Sequence, residues 1–376
     1  MKILITGAKG FIGKNLIAEL ENRGYTDILK YDIDSEPALL DKFCKECEFV
    51  FNLAGVNRPE REEDFMRGNY GFAMRLLDTL RANNNKCPVM LSSSIQADLD
   101  NSYGRSKKAG EELFIQYSND IGAKVLIYRF PNVFGKWCRP NYNSVIATFC
   151  NNIAKGLPIT VNDRKTLLKL VYIDDLVAEL ISALEGYPNV DDSGYCYVPV
   201  VYHETLGEIV DLLYSFKTSR KTLAIPYTGD GSFEKKLYAT YLSYLPQNDF
   251  VYDLKMNIDE RGSFTEILKS NERGQFSVNI TKPGITKGNH WHHTKNEKFV
   301  VVAGHGKIQF RKIDSAEIIT YVVSGEKIQV VDIPPGYTHC ITNIGDTELI
   351  TFMWCNECYD PNKADTYYLK VQEDNI

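Results

Sequence analysis

Tyr103 and Lys107 stand four positions apart in the run Tyr103-Gly104-Arg105-Ser106-Lys107. On a helix that spacing sets a phenol and an ammonium on one face. A tyrosine with a pKa of about 10 is a poor acid–base catalyst unless perturbed. A neighbouring ammonium lowers that value through its charge. Such a pair can supply the proton that an alkoxide needs after hydride reaches a carbonyl. The lysine can also hold a nicotinamide ribose. A hydroxyl at the end of the preceding strand can bind the substrate oxygen, and Ser92, Ser93 and Ser94 occupy that place.

A second set lies far downstream. Four of the six histidines fall between residues 290 and 305, and another is His339. On an extended strand residues i and i+2 share a face, so His290 and His292 converge while His293 points away. Glu297 lies on the next run and can return to the same interior. Pro334-Pro335-Gly336-Tyr337-Thr338-His339 ends in a third imidazole, with Asn343 four residues on. Histidines with one carboxylate suit Zn²⁺ or another divalent ion. The candidate ligands are His290, His292, Glu297 and His339. His203 stands alone and reads as structural, and His305 as a rim residue.

These side chains need elements to position them. The first half alternates strand-like and helix-like runs: Lys2–Thr6, Ile28–Tyr31, Phe49–Leu53, Val89–Ser92 and Lys124–Arg129 as strands, with Ile12–Arg23, Phe72–Arg81 and Lys107–Tyr117 as helices. That alternation implies a doubly wound, Rossmann-type parallel sheet covered on both faces. Gly7-Ala8-Lys9-Gly10-Phe11-Ile12-Gly13 follows the first strand and opens a helix. Glycines admit a pyrophosphate close to the backbone and to the helix N-terminus. Gly7, Lys9, Gly10, Phe11, Ile12 and Gly13 are therefore candidate dinucleotide contacts, with Leu53, Ala54 and Gly55 after Asn52 at the end of the third strand. Asp32 follows Gly13 by 19 residues. A carboxylate there accepts from a ribose 2′-OH and favours NAD. Lys9 can offset a 2′-phosphate, so the residues leave the cofactor open between NAD and NADP.

After residue 243 the pattern changes to short strand-like runs separated by turn residues: Phe276–Ile280, Lys298–Val302, Lys307–Arg311, Ile318–Val323, Lys327–Val331 and Glu348–Met353. This predicts an all-β sandwich or barrel. The expected domains are 1–243 and 244–376, with a hinge at Pro246-Gln247-Asn248-Asp249. A length of 376 residues agrees with two domains. Forty-three Lys and Arg against 49 Asp and Glu give a net charge of −6, which excludes a protein that holds nucleic acid by bulk positive charge. No apolar run reaches the roughly 18 residues of a membrane span. The N-terminus carries no small-residue cleavage site, so no export, a cytoplasmic location and nine free thiols are expected. The C-x-x-C pairs Cys44/Cys47 and Cys355/Cys358 lie in different domains and are not expected to share zinc.

Residues 1–243 resemble the extended short-chain dehydrogenase/reductase family. The resemblance rests on Gly7, Gly10 and Gly13, Asn52–Gly55, Ser92–Ser94, Tyr103 with Lys107, the run from Arg129 to Gly135, and Val171–Leu176. Members of this type act on nucleotide sugars. The resemblance implies Ser94 as the catalytic serine, with Ser93 second, Tyr103 as the acid and Lys107 as its partner. The short stretch from Asp32 to Asn52 is like that of the dTDP-4-dehydrorhamnose reductases. No Thr or Asp-Val pair sits where many NAD epimerases bind adenine. The spacings around His290 and His339 match both motifs of the cupin (jelly-roll) family. Asp259 to Glu266 resembles the opening segment of the dTDP-4-dehydrorhamnose 3,5-epimerase cupins.

Over its full length the chain resembles the bifunctional capsular polysaccharide biosynthesis enzymes that join these two domains. That resemblance implies C3 epimerisation of a UDP-2-acetamido-2,6-dideoxy-4-hexulose by the cupin. The reductase domain then reduces C4 with NADPH, NADH being possible. It also implies a UDP-amino-sugar substrate, a homodimer or higher oligomer, and no nucleic-acid or membrane partner. Lys287, His290, His292 and Tyr337 are candidate bases near the metal. The competing reading is a single-activity 4-keto reductase whose cupin is a binding or dimerisation module.

Overall fold

The computed structural model describes residues 1–270 and 272–372. The chain divides into two compact units, one made of Met1–Tyr214 and Thr228–Pro246, the other of Ser215–Tyr227 and Gln247–Ile376. The segment 215–227 thus groups with the second unit, where the Ile225 amide donates to the Lys269 carbonyl at 2.8 Å and the Lys269 amide to the Leu223 carbonyl at 2.7 Å.

The first unit begins with β1 (Ile3–Thr6), α1 (Phe11–Asn22), β2 (Ile28–Tyr31), α2 (Pro37–Glu46) and β3 (Phe49–Asn52). It continues through α3 (Glu63–Phe65), a π-helical turn at Met66–Gly71, α4 (Phe72–Ala82), β4 (Val89–Ser94), α5 (Ser102–Ile121) and β5 (Val125–Phe130). The strands pair in parallel in the order β2-β1-β3-β4-β5. Alternation along β1 explains the two faces: Ile3 and Ile5 join one buried cluster with Leu16 and Leu20 of α1, while Leu4 joins another with Leu76 and Leu80 of α4. The rest of this unit includes β6 (Asn132–Phe134), α6 (Val145–Ala154), β7 (Leu167–Tyr172), α7 (Ile173–Leu184), β8 (Tyr202–Thr205), α8 (Leu206–Thr222) and α9 (Phe233–Leu242). The unit division falls inside α8. Strands β6, β7 and β8 form a small separate sheet.

The expected helix Lys107–Tyr117 begins earlier, at Ser102. Asn101 caps it by accepting from the Gly104 amide at 2.8 Å, which places Tyr103 in its first turn.

The second unit holds β9 (Met256–Asp259), β10 (Gly262–Ser270), β11 (Gly274–Thr281), β12 (Thr286–Trp291), β13 (Glu297–Ala303) and β14 (His305–Lys312). Then come β15 (Ile318–Ser324), β16 (Val330–Ile333), β17 (Tyr337–Asn343), β18 (Leu349–Cys355) and β19 (Tyr367–Tyr368). Two antiparallel sheets result, ordered β16-β13-β18-β11-β10-β9 and β15-β14-β17-β12-β19. Phe299 and Val301 of the first meet Ile308, Phe310 and Ile341 of the second in one apolar cluster. This is the jelly-roll sandwich expected of a cupin. The strand expected at Lys327–Val331 starts later, at Val330, because Gly325 and Glu326 turn the chain and Lys327 makes only an isolated bridge to Ser324.

Candidate functional site

In the first unit the candidate residues gather at the carboxyl ends of β1, β3 and β4. The winding reverses between β1 and β3, where open α/β sheets take their ligands. Gly7 turns with φ +66°, and a Cβ there would stand 2.8 Å from the Ala54 nitrogen. A Cβ on Gly13 would stand 2.3 Å from the Gly7 oxygen. A side chain at Gly7 would push the loop off the Leu53–Gly55 turn, and one at Gly13 would push helix α1 off the loop. Helix α1 opens at Gly10 without a side-chain cap, so an anion can take that place beside Phe11 and Ile12. Asp32 faces this loop, accepting from the Lys9 amide at 2.6 Å and the Ile33 amide at 2.8 Å. The exposed Lys9 ammonium pairs with Asp34.

Tyr103 and Lys107 lie one turn apart on α5, with the Lys107 Nζ 5.8 Å from the tyrosine ring centroid. Burial raises the phenol pKa, and a hydrogen bond with the Ser94 side chain works against that rise. Lys107 is buried, and its Nζ donates to the Ser92 carbonyl at 3.0 Å. Burial pulls its pKa down to about 8, against the attraction of Glu111. Adjacent strand residues face opposite ways, and this separates the two candidate serines. Ser94 meets Tyr103, whereas Ser93 donates to the buried Glu111. Glu111 also accepts from Arg129 at 2.9 and 2.6 Å and from the Tyr195 hydroxyl at 3.1 Å. Ser93 therefore belongs to a buried charge network beneath the site.

Sequence reasoning missed Asn69. It lies in the π-helical turn, accepts from the Val56 amide at 2.8 Å and donates to the Val56 carbonyl at 3.1 Å and the Ser106 hydroxyl at 2.9 Å. It thereby ties the turn after β3 to α5 between Tyr103 and Lys107. No local motif announces that role. Glu111, four residues after Lys107, was open to inspection as an i+4 partner.

In the second unit His290 on β12 and His339 on β17 are direct cross-strand partners. Their rings lie 4.5 Å apart. His292 follows just after β12, and Glu297 begins β13 in the opposite sheet. One potential ligand atom from each of His290, His292, Glu297 and His339 lies within 4.8 Å of the others. His292 Nε2, Glu297 Oε2 and both ring nitrogens of His339 are buried without a hydrogen-bond partner. Orphaned buried polar atoms are costly. His292 Nε2, Glu297 Oε2 and one nitrogen of His339 converge with His290, and that donor set fits a bound cation. Burial also pulls the His290 pKa down to about 4, which keeps its imidazole neutral, the form that binds metals. His293 is exposed and packs on Trp291 and Tyr367. Asn343 donates to the Thr281 and Thr347 carbonyls and braces a turn. His203 and His305 are exposed and lie outside the cluster.

A cavity of about 570 Å³ opens on the cluster and is lined also by Arg261, Lys287 and Lys295. Lys287 is a fixed cation in this wall, donating to Asn279 Oδ1 at 2.7 Å and the Ile280 carbonyl at 3.0 Å. Tyr337 is not among the cavity residues. All nine cysteines are unpaired, and Cys355 and Cys358 stand outside the histidine cluster.

Residues 3–194 match the NAD dependent epimerase/dehydratase family, and residues 257–367 match the polysaccharide biosynthesis C-terminal domain. The chain belongs to the NAD dependent epimerase/dehydratase family. It is similar over its full length to the capsular polysaccharide assembling protein CapF from Staphylococcus aureus, with 56% identity, a TM-score of 0.93, and coverage of 99% of this chain and 100% of that one. A second CapF structure, with the inhibitor 3-isopropenyl-tropolone, is 51% identical with a TM-score of 0.89 and the same coverage. The UDP-2-acetamido-2,6-beta-L-arabino-hexul-4-ose reductase of Pseudomonas aeruginosa is 42% identical over 373 residues, 99% of this chain and 100% of that protein. No helix among the described residues is long and apolar enough to cross a membrane.

Proposed function

We propose that this chain is a bifunctional nucleotide-sugar enzyme of capsule biosynthesis. Its substrate is a UDP-2-acetamido-2,6-dideoxy-4-hexulose. The second unit inverts C3, and the first then reduces C4 with NADPH. The product is UDP-2-acetamido-2,6-dideoxy-L-talose, on the route to UDP-N-acetyl-L-fucosamine. The observation that carries this reading is the presence in one chain of two assembled sites, the Ser94/Tyr103/Lys107 group and the histidine–glutamate cluster open to a cavity. The 4-keto reductase activity named for the P. aeruginosa relative supports the second step. The order follows from acidity: the C4 ketone activates the C3–H bond, and reduction removes that activation.

When bound at the glycine loop, NADPH would supply the hydride. Tyr103 donates its proton to the C4 oxygen as the hydride arrives, and Ser94 holds that oxygen. Lys107 keeps a positive charge beside the phenol and holds the cofactor ribose. The Lys9–Asp34 pair is exposed. Such pairs contribute little, so a 2′-phosphate can take over Lys9. His290, His292, Glu297 and His339 would hold a divalent ion, which would polarise the substrate carbonyl when bound. The tropolone inhibitor of CapF supports this, since its adjacent oxygens suit chelation of such an ion. Lys287 places an ammonium in the cavity wall for an anionic UDP-sugar, and Arg261 lies beside it paired with Asp259.

One observation favours a second reading. The P. aeruginosa relative is named for reduction alone, which fits a 4-keto reductase whose cupin only binds substrate or a second subunit. Product NMR after incubation with the UDP-keto-sugar and NADPH separates the two. Inverted C3 with reduced C4 supports bifunctionality, and reduced C4 with unchanged C3 supports the reductase alone.

A further inference from the structure

The four candidate ligands do not hold themselves in place. One segment, from Asp365 to Val371, makes contacts at or within two residues of every one of them. The Asp365 carboxylate accepts from the His293 amide at 2.9 Å, the Thr294 amide at 2.8 Å and the Lys295 amide at 2.9 Å. These residues make up most of the link between His292 and Glu297. Three successive amides aimed at one carboxylate form a nest that fixes the path of that link. The carbonyl of the same Asp365 lies 2.5 Å from His292 Nδ1. A carbonyl only accepts, so the ring proton sits on Nδ1 and the Nε2 lone pair faces the cluster.

The segment then runs as β19 beside β12, pairing Tyr368 with His290 and Tyr367 with Trp291. The Thr338 hydroxyl, next to His339, donates to the Leu369 carbonyl. We propose that Asp365–Val371 is a positioning strap for a divalent cation held by His290, His292, Glu297 and His339, with Asp365 as its anchor. This rests on the reading of the cluster as a metal centre. A segment that merely covered a sheet edge would have no need of a carbonyl on the second nitrogen of one ligand. Nor would it need a carboxylate spanning the loop between two others.

The test uses the full chain, stripped of metal and titrated with Zn²⁺ against a chromogenic chelator. Co²⁺ absorption is then read as a signature of ligand geometry. The wild type should bind one ion per chain as a tetrahedral site does. Asp365→Ala should weaken Zn²⁺ binding by about 10–100-fold, the usual effect of losing an outer-shell partner, and should shift the Co²⁺ bands. Asp365→Asn keeps one acceptor oxygen and should fall between, which gives a reading if the alanine variant fails to fold. Wild-type Zn²⁺ affinity and an unchanged Co²⁺ spectrum in a folded variant, even one with a lower melting temperature, would overturn the strap. A wild-type chain that binds neither ion would instead overturn the metal reading beneath it.

Discussion

The two candidate sites are built in opposite ways. The Ser94/Tyr103/Lys107 group is local: a strand end and the first turns of the helix after it. Its neighbours Ser93, Ser106 and Asn69 have their polar groups engaged. The histidine–glutamate cluster draws on three strands in two sheets and leaves four buried polar atoms without a hydrogen bond, two of them nitrogens 3.3–3.4 Å from Glu297 Oε2. A site whose bonds are already made can wait for substrate in its working shape. A site with orphaned atoms is complete only when something charged fills it. The first should therefore respond to changes in proton chemistry, and the second to removal of an ion.

The largest expected effect is in the first site. Tyr103→Phe should lower the rate of C4 reduction by about 10²–10⁴-fold, the range for loss of a general acid, followed as NADPH oxidation. Ser94→Ala should also reduce that rate. Ser93→Ala should leave the chemistry near wild type but destabilise the fold by about 1–3 kcal/mol, because the buried Glu111 loses a donor. Equal kinetic losses in the two serine variants would blur the distinction between them.

In the second site, His339→Ala should abolish stoichiometric metal binding, measured by elemental analysis. Chelation of the wild type should lower the melting temperature. An ion present at about 100 times its Kd contributes about 2.7 kcal/mol to the bound state. An unchanged melting curve on chelation, with no metal found, would remove the contrast between the sites.

The smallest effect is in pH dependence. Lys107 has its pKa lowered from 10.5 to about 8 by burial, so its charge is present below about 8 and lost above it. The rate of reduction should fall as pH rises through 8, while the raised pKa of Tyr103 keeps the acid protonated there. Stability should move the other way. The unfolded lysine holds its proton up to the ordinary value, so cofactor-free protein gains stability between about 8 and 10.5 as the native state sheds a buried charge. Lys107→Arg should remove the alkaline fall. A profile flat through pH 9 in the wild type would contradict the assignment.

Much of this was legible in the residues, for physical reasons. Gly7 and Gly13 are required by backbone contacts closer than a Cβ tolerates, and Tyr103 with Lys107 by the pitch of a helix. The histidines stood out because their type is rare and their strand spacing is short. What stayed hidden lies in long-range contacts. Asn69 reaches Ser106 across 37 positions and Asp365 reaches His293 across 72, and neither belongs to a local pattern. The segment 215–227 begins on α8, which reads like its neighbours, and both its pairing at Lys269 and the hydrogen bond from Arg220 to the Asp249 carbonyl go to the second unit. A fragment starting at residue 244 would lack that pairing, so tests of the cupin chemistry belong on the full chain.

The central claim is that the two sites carry separate steps. Its most direct test is the proton NMR signal of the substrate C3–H in D₂O with full-length Tyr103→Phe. The account predicts that this signal disappears at the wild-type rate although no C4 reduction follows, and that it persists with His339→Ala. Loss of C3 exchange in Tyr103→Phe would mean that one site performs both steps, and would contradict the account.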